Sequence, residues 1–110
     1  MKFGLWVDDV RQPPSDFYYE GEIVKWTHTF SVQMAKSIIN RSEEKNKKYD
    51  LISIDHDAGD FVQFGGDYIK LLDWLEETGR NYPIRIHSMN VVGRMNMEAI
   101  CRRNGWTIVE

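Results

Sequence analysis

The sequence has 110 residues, of which 42% are hydrophobic and 28% charged, so it favours one folded domain over residues 1–110 rather than a disordered chain. A net charge of −3 argues against binding of extended duplex nucleic acid but leaves room for a small phosphorylated ligand. The single cysteine, Cys101, excludes an internal disulfide. No signal peptide is recognised and no apolar run approaches ~18 residues, so we expect a cytoplasmic domain with no membrane partner.

The first half of the chain predicts two strands separated by an irregular segment, then a helix. Residues 2–7 form an apolar run that ends at two aspartates, as a buried strand would. Pro13 and Pro14 begin a loop that continues to about Gly21, and residues 23–26 form the second strand. Thr29 or Ser31 caps the helix that follows. Its predicted apolar face comprises Phe30, Met34, Ala35, Ile38 and Ile39.

The second half alternates strands and helices. Strands are predicted over residues 51–54, 84–87 and 106–109. The second helix follows the turn at residues 65–67 and stops at Gly79; the third begins at Asn90 and stops at Gly105. Their predicted buried faces are Tyr68, Leu71, Leu72 and Leu75 in the second helix and Val92, Met95, Ala99 and Ile100 in the third. The polar run at residues 42–48 could contact nucleic acid, but a solvated helix end is the favoured interpretation.

This alternation predicts a compact α/β fold. We expect a three-layer sandwich with a mostly parallel five-stranded sheet and helices on both faces. No helix is expected between the first two strands, because residues 8–21 contain no helical pattern.

Polar side chains follow three of the predicted strands at the point where each strand ends. Because the carboxyl ends of parallel strands meet at one edge of a sheet, we expect these side chains to converge there. The residues are Asp8, Asp9 and Arg11 after the first strand, Asp55, His56 and Asp57 after the third, and His87, Ser88, Asn90 and Arg94 after the fourth.

The aspartates of this edge predict a metal site. Asp8, Asp9, Asp55 and Asp57 would repel one another if they packed without a counter-ion, and Mg²⁺ prefers carboxylate oxygens. The alternative is that Asp8 and Asp57 only cap loops and turns. Convergence of three separate segments favours the metal site.

The histidines and the donors predict phosphate chemistry at the same edge. His56 and His87 could serve as general acid and base for cleavage of a phosphoester, with Asp55 beside them. Four hydrogen-bond donors at this edge could bind the phosphate oxygens: Arg11, Ser88, Asn90 and Arg94. Salt bridges for the arginines and a helix cap for Asn90 are the alternatives.

With these residues placed, the sequence resembles response-regulator receiver domains. In that family an acidic pair, an aspartate and a hydroxyl hold Mg²⁺ and a phosphoryl group, at the positions of Asp8, Asp9, Asp55 and Ser88. The sequence departs from the family in two respects. It has no lysine and no helix after the last strand, and it has no helix between the first two strands. The resemblance therefore implies a receiver-like or flavodoxin-like fold that lacks the first and the last receiver helix.

A closer resemblance is to the receiver-like family that processes cyclic phosphates. Its motifs are similar to WVDDVR at residues 6–11, IDHDAGD at residues 54–60 and HSMNVVGRMNM at residues 87–97. The resemblance implies a metal-assisted phosphoesterase that acts on a cyclic phosphate of a nucleotide or of an RNA end. Two alternatives stay open. One is a receiver-like signalling or ligand-binding module with Asp55 as phosphoacceptor, and the other is a metal-free reaction that relies on the two histidines.

Overall fold

The computed structural model describes residues 1–110 and contains five strands and three α-helices. In chain order these are β1 (Lys2–Val7), β2 (Tyr18–Tyr19), β3 (Glu22–Thr29), α1 (Val32–Glu44), β4 (Leu51–Ile54), α2 (Ile69–Glu77), β5 (Ile84–Ile86) and α3 (Val91–Asn104). A 3-10 turn over Gly59–Phe61 lies between β4 and α2.

The strands form a single sheet in the order β2-β3-β1-β4-β5. All neighbours are parallel except β2, which pairs antiparallel with β3. The chain moves from β1 to β3 in one direction and then crosses back over β1 to β4 and β5. The winding direction therefore reverses at the end of β1, which is where open α/β sheets bind ligands.

The three helices lie in one layer, so the prediction of helices on both faces is wrong. Their buried side chains share one core with Leu5 and Val7 of β1, Ile52 and Ile54 of β4, and Ile84 and Ile86 of β5, which register places on one face. The reason is the strand order. The connections through α1 (β3 to β4) and α2 (β4 to β5) both move toward the β5 edge of the sheet, and right-handed crossovers that move toward the same edge lie on the same face. The connection from β1 to β3 belongs to the other face and has no helix.

The second face of the sheet is covered instead by the irregular segment at residues 8–19. The Phe17 ring packs on Trp26 of β3 with 5.7 Å between centroids, and the Arg85 guanidinium lies 4.8 Å from the Phe17 ring. Trp6 of β1 donates its indole N–H to the Arg11 carbonyl at 2.8 Å. Trp26 itself lies directly over Gly4, where a β-carbon would collide with its ring. Segment 8–19 therefore takes the place that a helix would occupy.

The predicted strand over residues 106–109 is reduced to a single bridge between Ile108 and Ile84. The count of five strands is still met, because Tyr18 and Tyr19 pair with β3 inside the region predicted as a loop. A two-residue strand is too short to show a period-two pattern, so the sequence could not have revealed it.

The predicted helix ends are confirmed, whereas the predicted buried faces of α1 and α3 differ in part from the observed ones. Ser31 and Asn90 accept hydrogen bonds as N-caps of α1 and α3, and Gly105 ends α3 in the left-handed conformation. In α1 the buried residues are Val32, Ala35 and Ile39, while Met34 is exposed. In α3 they are Gly93, Met97, Ile100 and Cys101, and Val92, Met95 and Ala99 are exposed instead. None of the helices has the length and apolar character to cross a membrane.

Candidate functional site

Three of the predicted metal ligands meet beyond the carboxyl ends of β1 and β4. Asp8, Asp9 and Asp55 offer carboxylate oxygens that all lie within 4.8 Å of one another. The sheet ladder sets this approach, because the Asp55 amide donates to the Val7 carbonyl at 3.0 Å and the Asp8 amide donates to the Thr29 carbonyl at 3.1 Å. The three carboxylates are thus held by the ends of adjacent parallel strands.

Asp8 is fully buried and held from two sides. Its Oδ1 accepts from the backbone amides of Val10 and Arg11 at 2.9 and 3.0 Å, and its Oδ2 lies 2.9 Å from His87 Nε2. Burial alone would raise the pKa of Asp8, but these hydrogen bonds outweigh it and hold the pKa below its usual value. Asp8 is therefore an ionised carboxylate with a fixed orientation.

His87 belongs to a hydrogen-bonded row that ends at Asp8. Arg85 Nη1 donates to Ser53 Oγ at 3.3 Å, Ser53 Oγ lies 2.8 Å from His87 Nδ1, and His87 Nε2 lies 2.9 Å from Asp8 Oδ2. Arginine only donates and a carboxylate only accepts, so Ser53 donates to Nδ1 and the ring proton sits on Nε2. Burial lowers the pKa of His87 more than the Asp8 charge raises it, which favours the neutral ring.

The His87 ring is also held by an aromatic contact. It stacks on Trp6 with 3.9 Å between centroids and an interplanar angle of 4°, and its side chain is only 5% exposed. Both ring nitrogens are engaged and one ring face is covered. The geometry places His87 behind Asp8 rather than on an open surface of the site.

Asp9 is the electrostatically strained member of the cluster. Burial and the negative charges of Asp8 and Asp55 raise the pKa of Asp9. Its carboxylate packs on Gly59, which has φ +56° and where a β-carbon would collide with Oδ2. Only glycine adopts this left-handed conformation readily and also lacks a β-carbon, so the turn after β4 leaves room for the Asp9 carboxylate.

His56 and Asp57 form a separate pair beside the cluster. His56 Nδ1 lies 2.9 Å from Asp57 Oδ1, while the Asp57 side chain is 62% exposed. The His56 ring packs directly on Gly93 of α3, where a β-carbon would collide with it. Asp57, predicted as a metal ligand, thus lies against His56 and outside the group formed by Asp8, Asp9 and Asp55.

The four predicted phosphate donors have different surroundings. Arg11 Nη1 donates to the His87 carbonyl at 3.2 Å, which draws the guanidinium toward the β5 end of the site. Ser88 Oγ accepts from the Asn90 amide, and Asn90 Oδ1 caps α3 by accepting from the Gly93 amide. Arg94 pairs with Glu98 one turn along α3 at 3.1 Å. The helix cap predicted as the alternative for Asn90 is therefore present. The cap uses Oδ1, and the side-chain amide nitrogen of Asn90 makes no hydrogen bond.

Several residues that support the site were not singled out from the sequence. His28 places Nε2 2.8 Å from the Asp8 carbonyl. Ser53 and Arg85 hold His87, and Gly59 and Gly93 make room for Asp9 and His56. Ser53 did carry a signal, because a serine in the otherwise apolar run LISI marks a polar position inside a buried strand. Gly59 and Gly93 lie inside the motifs at residues 54–60 and 87–97, but which side chains they accommodate is visible only in the structure.

One known family matches most of the chain. A family model described as "Cyclic-phosphate processing Receiver domain" matches residues 3–103, which includes every residue of the site. No curated protein and no solved structure matches the chain in the corresponding comparisons.

Proposed function

Because this chain belongs to the cyclic-phosphate processing receiver family, we propose that it hydrolyses a cyclic phosphodiester at the edge formed by Asp8, Asp9 and Asp55. In this reaction the oxygen of water bonds to phosphorus, one ring P–O bond breaks, and the released oxygen takes up a proton. The product is a phosphomonoester with a free hydroxyl. The approach of three carboxylates to within 4.8 Å is the observation that carries the proposal.

The donor set suits a hard divalent cation such as Mg²⁺. Two oxygens bound to one Mg²⁺ at ~2.1 Å lie at most about 4.2 Å apart, so these carboxylates need only a small adjustment to share an ion. The raised pKa of Asp9 points the same way, because a cation would relieve its repulsion by Asp8 and Asp55. When bound, such an ion would polarise the phosphoryl oxygens and offset their growing negative charge.

We assign the two histidines different tasks. His56 has Nδ1 on Asp57, which leaves Nε2 as the nitrogen that could exchange a proton with water or with the leaving oxygen. His87 has no free nitrogen, so it is a positioning residue that orients Asp8.

The phosphate would be held by donors around the cluster. Arg11 uses one of its five N–H groups on the His87 carbonyl, which leaves the others for phosphate oxygens. The Ser88 hydroxyl and the Asn90 amide can donate beside it. Arg94 donates only its Nε–H to Glu98, which leaves its terminal N–H groups for a phosphate. The substrate is therefore expected to be a small cyclic phosphate or the cyclic end of an RNA.

The test is turnover of 2′,3′-cyclic and 3′,5′-cyclic nucleotides and of cyclic-ended RNA, with Mg²⁺, with Mn²⁺ or with a chelator. We expect turnover that the chelator abolishes and that Asp55→Asn and His56→Gln each reduce at least about a hundredfold. Asp16→Asn is the matched control, since Asp16 is exposed and makes no side-chain hydrogen bond, and it should keep full activity.

Other outcomes distinguish the alternatives. Turnover that survives the chelator but not His56→Gln would replace the metal-assisted reaction with a metal-free one. No turnover on any substrate, together with stable labelling of Asp55 by a small phosphodonor such as acetyl phosphate, would replace the enzyme with a receiver-like module.

A further inference from the structure

The one sizeable cavity of the molecule lies away from the carboxylate cluster. It is an open groove of about 770 Å³ at the opposite end of the sheet, between the last turns of α1, the segment that leads into β4, and the start of β1. Phe3 in this groove and Asp8 in the cluster are five residues apart on β1, which corresponds to about 17 Å. One phosphate group cannot contact both places, so the groove is a separate feature.

Four of the fourteen basic residues of the chain line this groove, together with one acidic residue. The basic residues are Arg41, Lys45, Lys47 and Lys48, and the acid is Asp50. The positive charge is concentrated in a protein that is negative overall.

Most of these cations have no partner within the chain. Arg41, Lys45 and Lys47 are exposed and take part in no ion pair or side-chain hydrogen bond. Lys48 donates to the Asn81 carbonyl and lies over the Tyr82 ring. Asp50 carries one negative charge against four positive ones and forms no ion pair with them; its Oδ2 accepts from the Phe3 amide at 2.7 Å.

The C-terminus of α1 accounts for only part of this charge. A helix end attracts cations because its free carbonyls are partly negative, and Arg41 is the one basic residue in the last turn. Lys47 and Lys48 lie beyond the helix in the segment that leads into β4. Capping therefore explains one or two cations and not four around one cavity.

The floor of the groove is apolar and includes an aromatic ring. Phe3 lies on the sheet face where Leu5 and Val7 are fully buried, yet its side chain is 49% exposed. Ile38 and Tyr49 also line the groove, and the Thr27 hydroxyl, which accepts from Tyr49, keeps its own proton to donate. A flat ring can stack on Phe3 while an attached phosphate reaches the cations above it.

The rim of the groove is already fixed. The Tyr49 hydroxyl donates to Thr27 Oγ1 at 3.1 Å, which ties the segment before β4 to β3. The Asp50 amide donates to the Phe3 carbonyl, and the Lys47 amide donates to the Ser42 carbonyl. A ligand would therefore meet a formed site and would need to order only exposed lysine side chains.

We propose that this groove binds a nucleotide, with its base on Phe3 and its phosphate on Arg41, Lys45 and Lys47. The volume falls within the range of small-ligand sites. A base–phosphate unit can come from a free mononucleotide or from a residue of single-stranded RNA, and both present the same chemistry.

The experiment is titration calorimetry of the full chain with adenosine 5′-monophosphate, inorganic phosphate, adenosine and a single-stranded oligoadenylate. We expect the monophosphate to bind more tightly than phosphate or adenosine, and the binding to weaken as NaCl is added. Lys45→Gln combined with Lys47→Gln should lower the affinity at least tenfold, and Phe3→Leu by a similar factor. Tighter binding of the oligoadenylate than of the monophosphate would identify RNA as the source.

Lys70→Gln combined with Arg102→Gln is the matched control, because it removes the same charge from exposed positions outside the groove. It should leave the affinity unchanged, and circular dichroism should show that every variant is folded. Asp55→Asn should bind like the wild type, which separates this site from the proposed reaction. The proposal is overturned if the monophosphate does not bind, if inorganic phosphate binds equally well, or if the groove variant matches the control.

Discussion

The orientation of the Asp8 carboxylate depends on side chains that lie outside the carboxylate cluster. Two backbone amides and the His87 ring fix its carboxylate, and His87 is itself fixed by Ser53 and Trp6. The sequence predicted that Asp8, Asp9 and Asp55 converge, because they follow apolar runs, but it placed Asp57 with them as well. It could not reveal that His87 turns back toward Asp8, since that depends on a contact between β1 and β5 across β4.

Gly93 is expected to be intolerant of alanine although it lies inside a helix. Glycine to alanine in a helix normally gains about 1 kcal/mol of stability. Here the β-carbon would collide with the His56 ring, so we expect a net loss of about 1–2 kcal/mol and at least a tenfold loss of any turnover. Chemical denaturation and the cyclic-nucleotide assay measure the two effects.

Asn96→Ala is the matched control, because Asn96 is an exposed position of the same helix. It should be neutral or slightly stabilising and should leave turnover intact. A stable and fully active Gly93→Ala protein would show that the position of His56 against α3 does not matter.

Cys101 is expected to be unreactive in the folded protein. Its side chain is fully buried, and burial raises the pKa of the thiol to about 11, so almost no thiolate is present near neutral pH. A thiol reagent such as dithionitrobenzoate should label the native protein far more slowly than the protein in denaturant. Rapid stoichiometric labelling of the native protein would contradict this arrangement.

At the scale of elements, α3 was the hardest to predict because both of its sides are apolar. Val92, Met95 and Ala99 repeat at helical spacing, as do Gly93, Met97 and Ile100, and either set could have been the core face. The structure buries the second set: Met97 and Ile100 pack in the core that the three helices share, and Gly93 lies against His56. The four longer strands and the helix caps were predictable because they depend on local patterns, whereas this choice depends on residues distant in the sequence.

The contact between α2 and α3 is expected to weaken in acid. Glu76 of α2 accepts from Arg103 of α3 at 2.9 Å and from Asn104 at 2.5 Å, and these contacts lower the pKa of Glu76 to about 2. A lowered pKa means that the stabilisation is complete above the ordinary value of 4.5 and is lost as pH falls from there toward 2. Glu76→Gln should therefore lower the melting temperature at pH 7 and have a smaller effect near pH 3.

Glu77→Gln serves as the control, since Glu77 is the exposed neighbour of Glu76 and makes no hydrogen bond through its side chain. Its melting temperature should follow that of the wild type across the same pH range. An equal shift for both variants would mean that net charge, and not the contact with α3, sets the effect.

At the scale of the whole molecule, the direction of the crossovers decides the layers. The alternation of strands and helices correctly predicted a mostly parallel sheet with three helices. It did not predict the strand order, and without the order the handedness rule cannot assign each helix to a face. The absence of a helix after β1 was visible in the sequence, but its consequence, a second face covered by segment 8–19, was not.

Phe17→Ala is expected to loosen this cover. Phe17 is half-buried between Trp26 and Arg85, so its truncation should cost about 1–2 kcal/mol, less than the loss for a fully buried phenylalanine. Denaturant unfolding measures the change. Tyr18→Ala is the control, because Tyr18 is 63% exposed, and its midpoint should stay near that of the wild type. Equal losses for both variants would mean that Phe17 does not hold segment 8–19 on the sheet.

The stacked pair of Trp6 and His87 has a spectroscopic consequence. The indole lies flat against the imidazole that contacts Asp8, while its N–H is bonded to the Arg11 carbonyl, so two neighbours of Trp6 belong to the candidate site. Any ligand that moves the Asp8 carboxylate or the Arg11 backbone changes the surroundings of the Trp6 indole. The emission of Trp6, isolated by replacing the other three tryptophans with phenylalanine, would follow occupancy of the carboxylates without an added label.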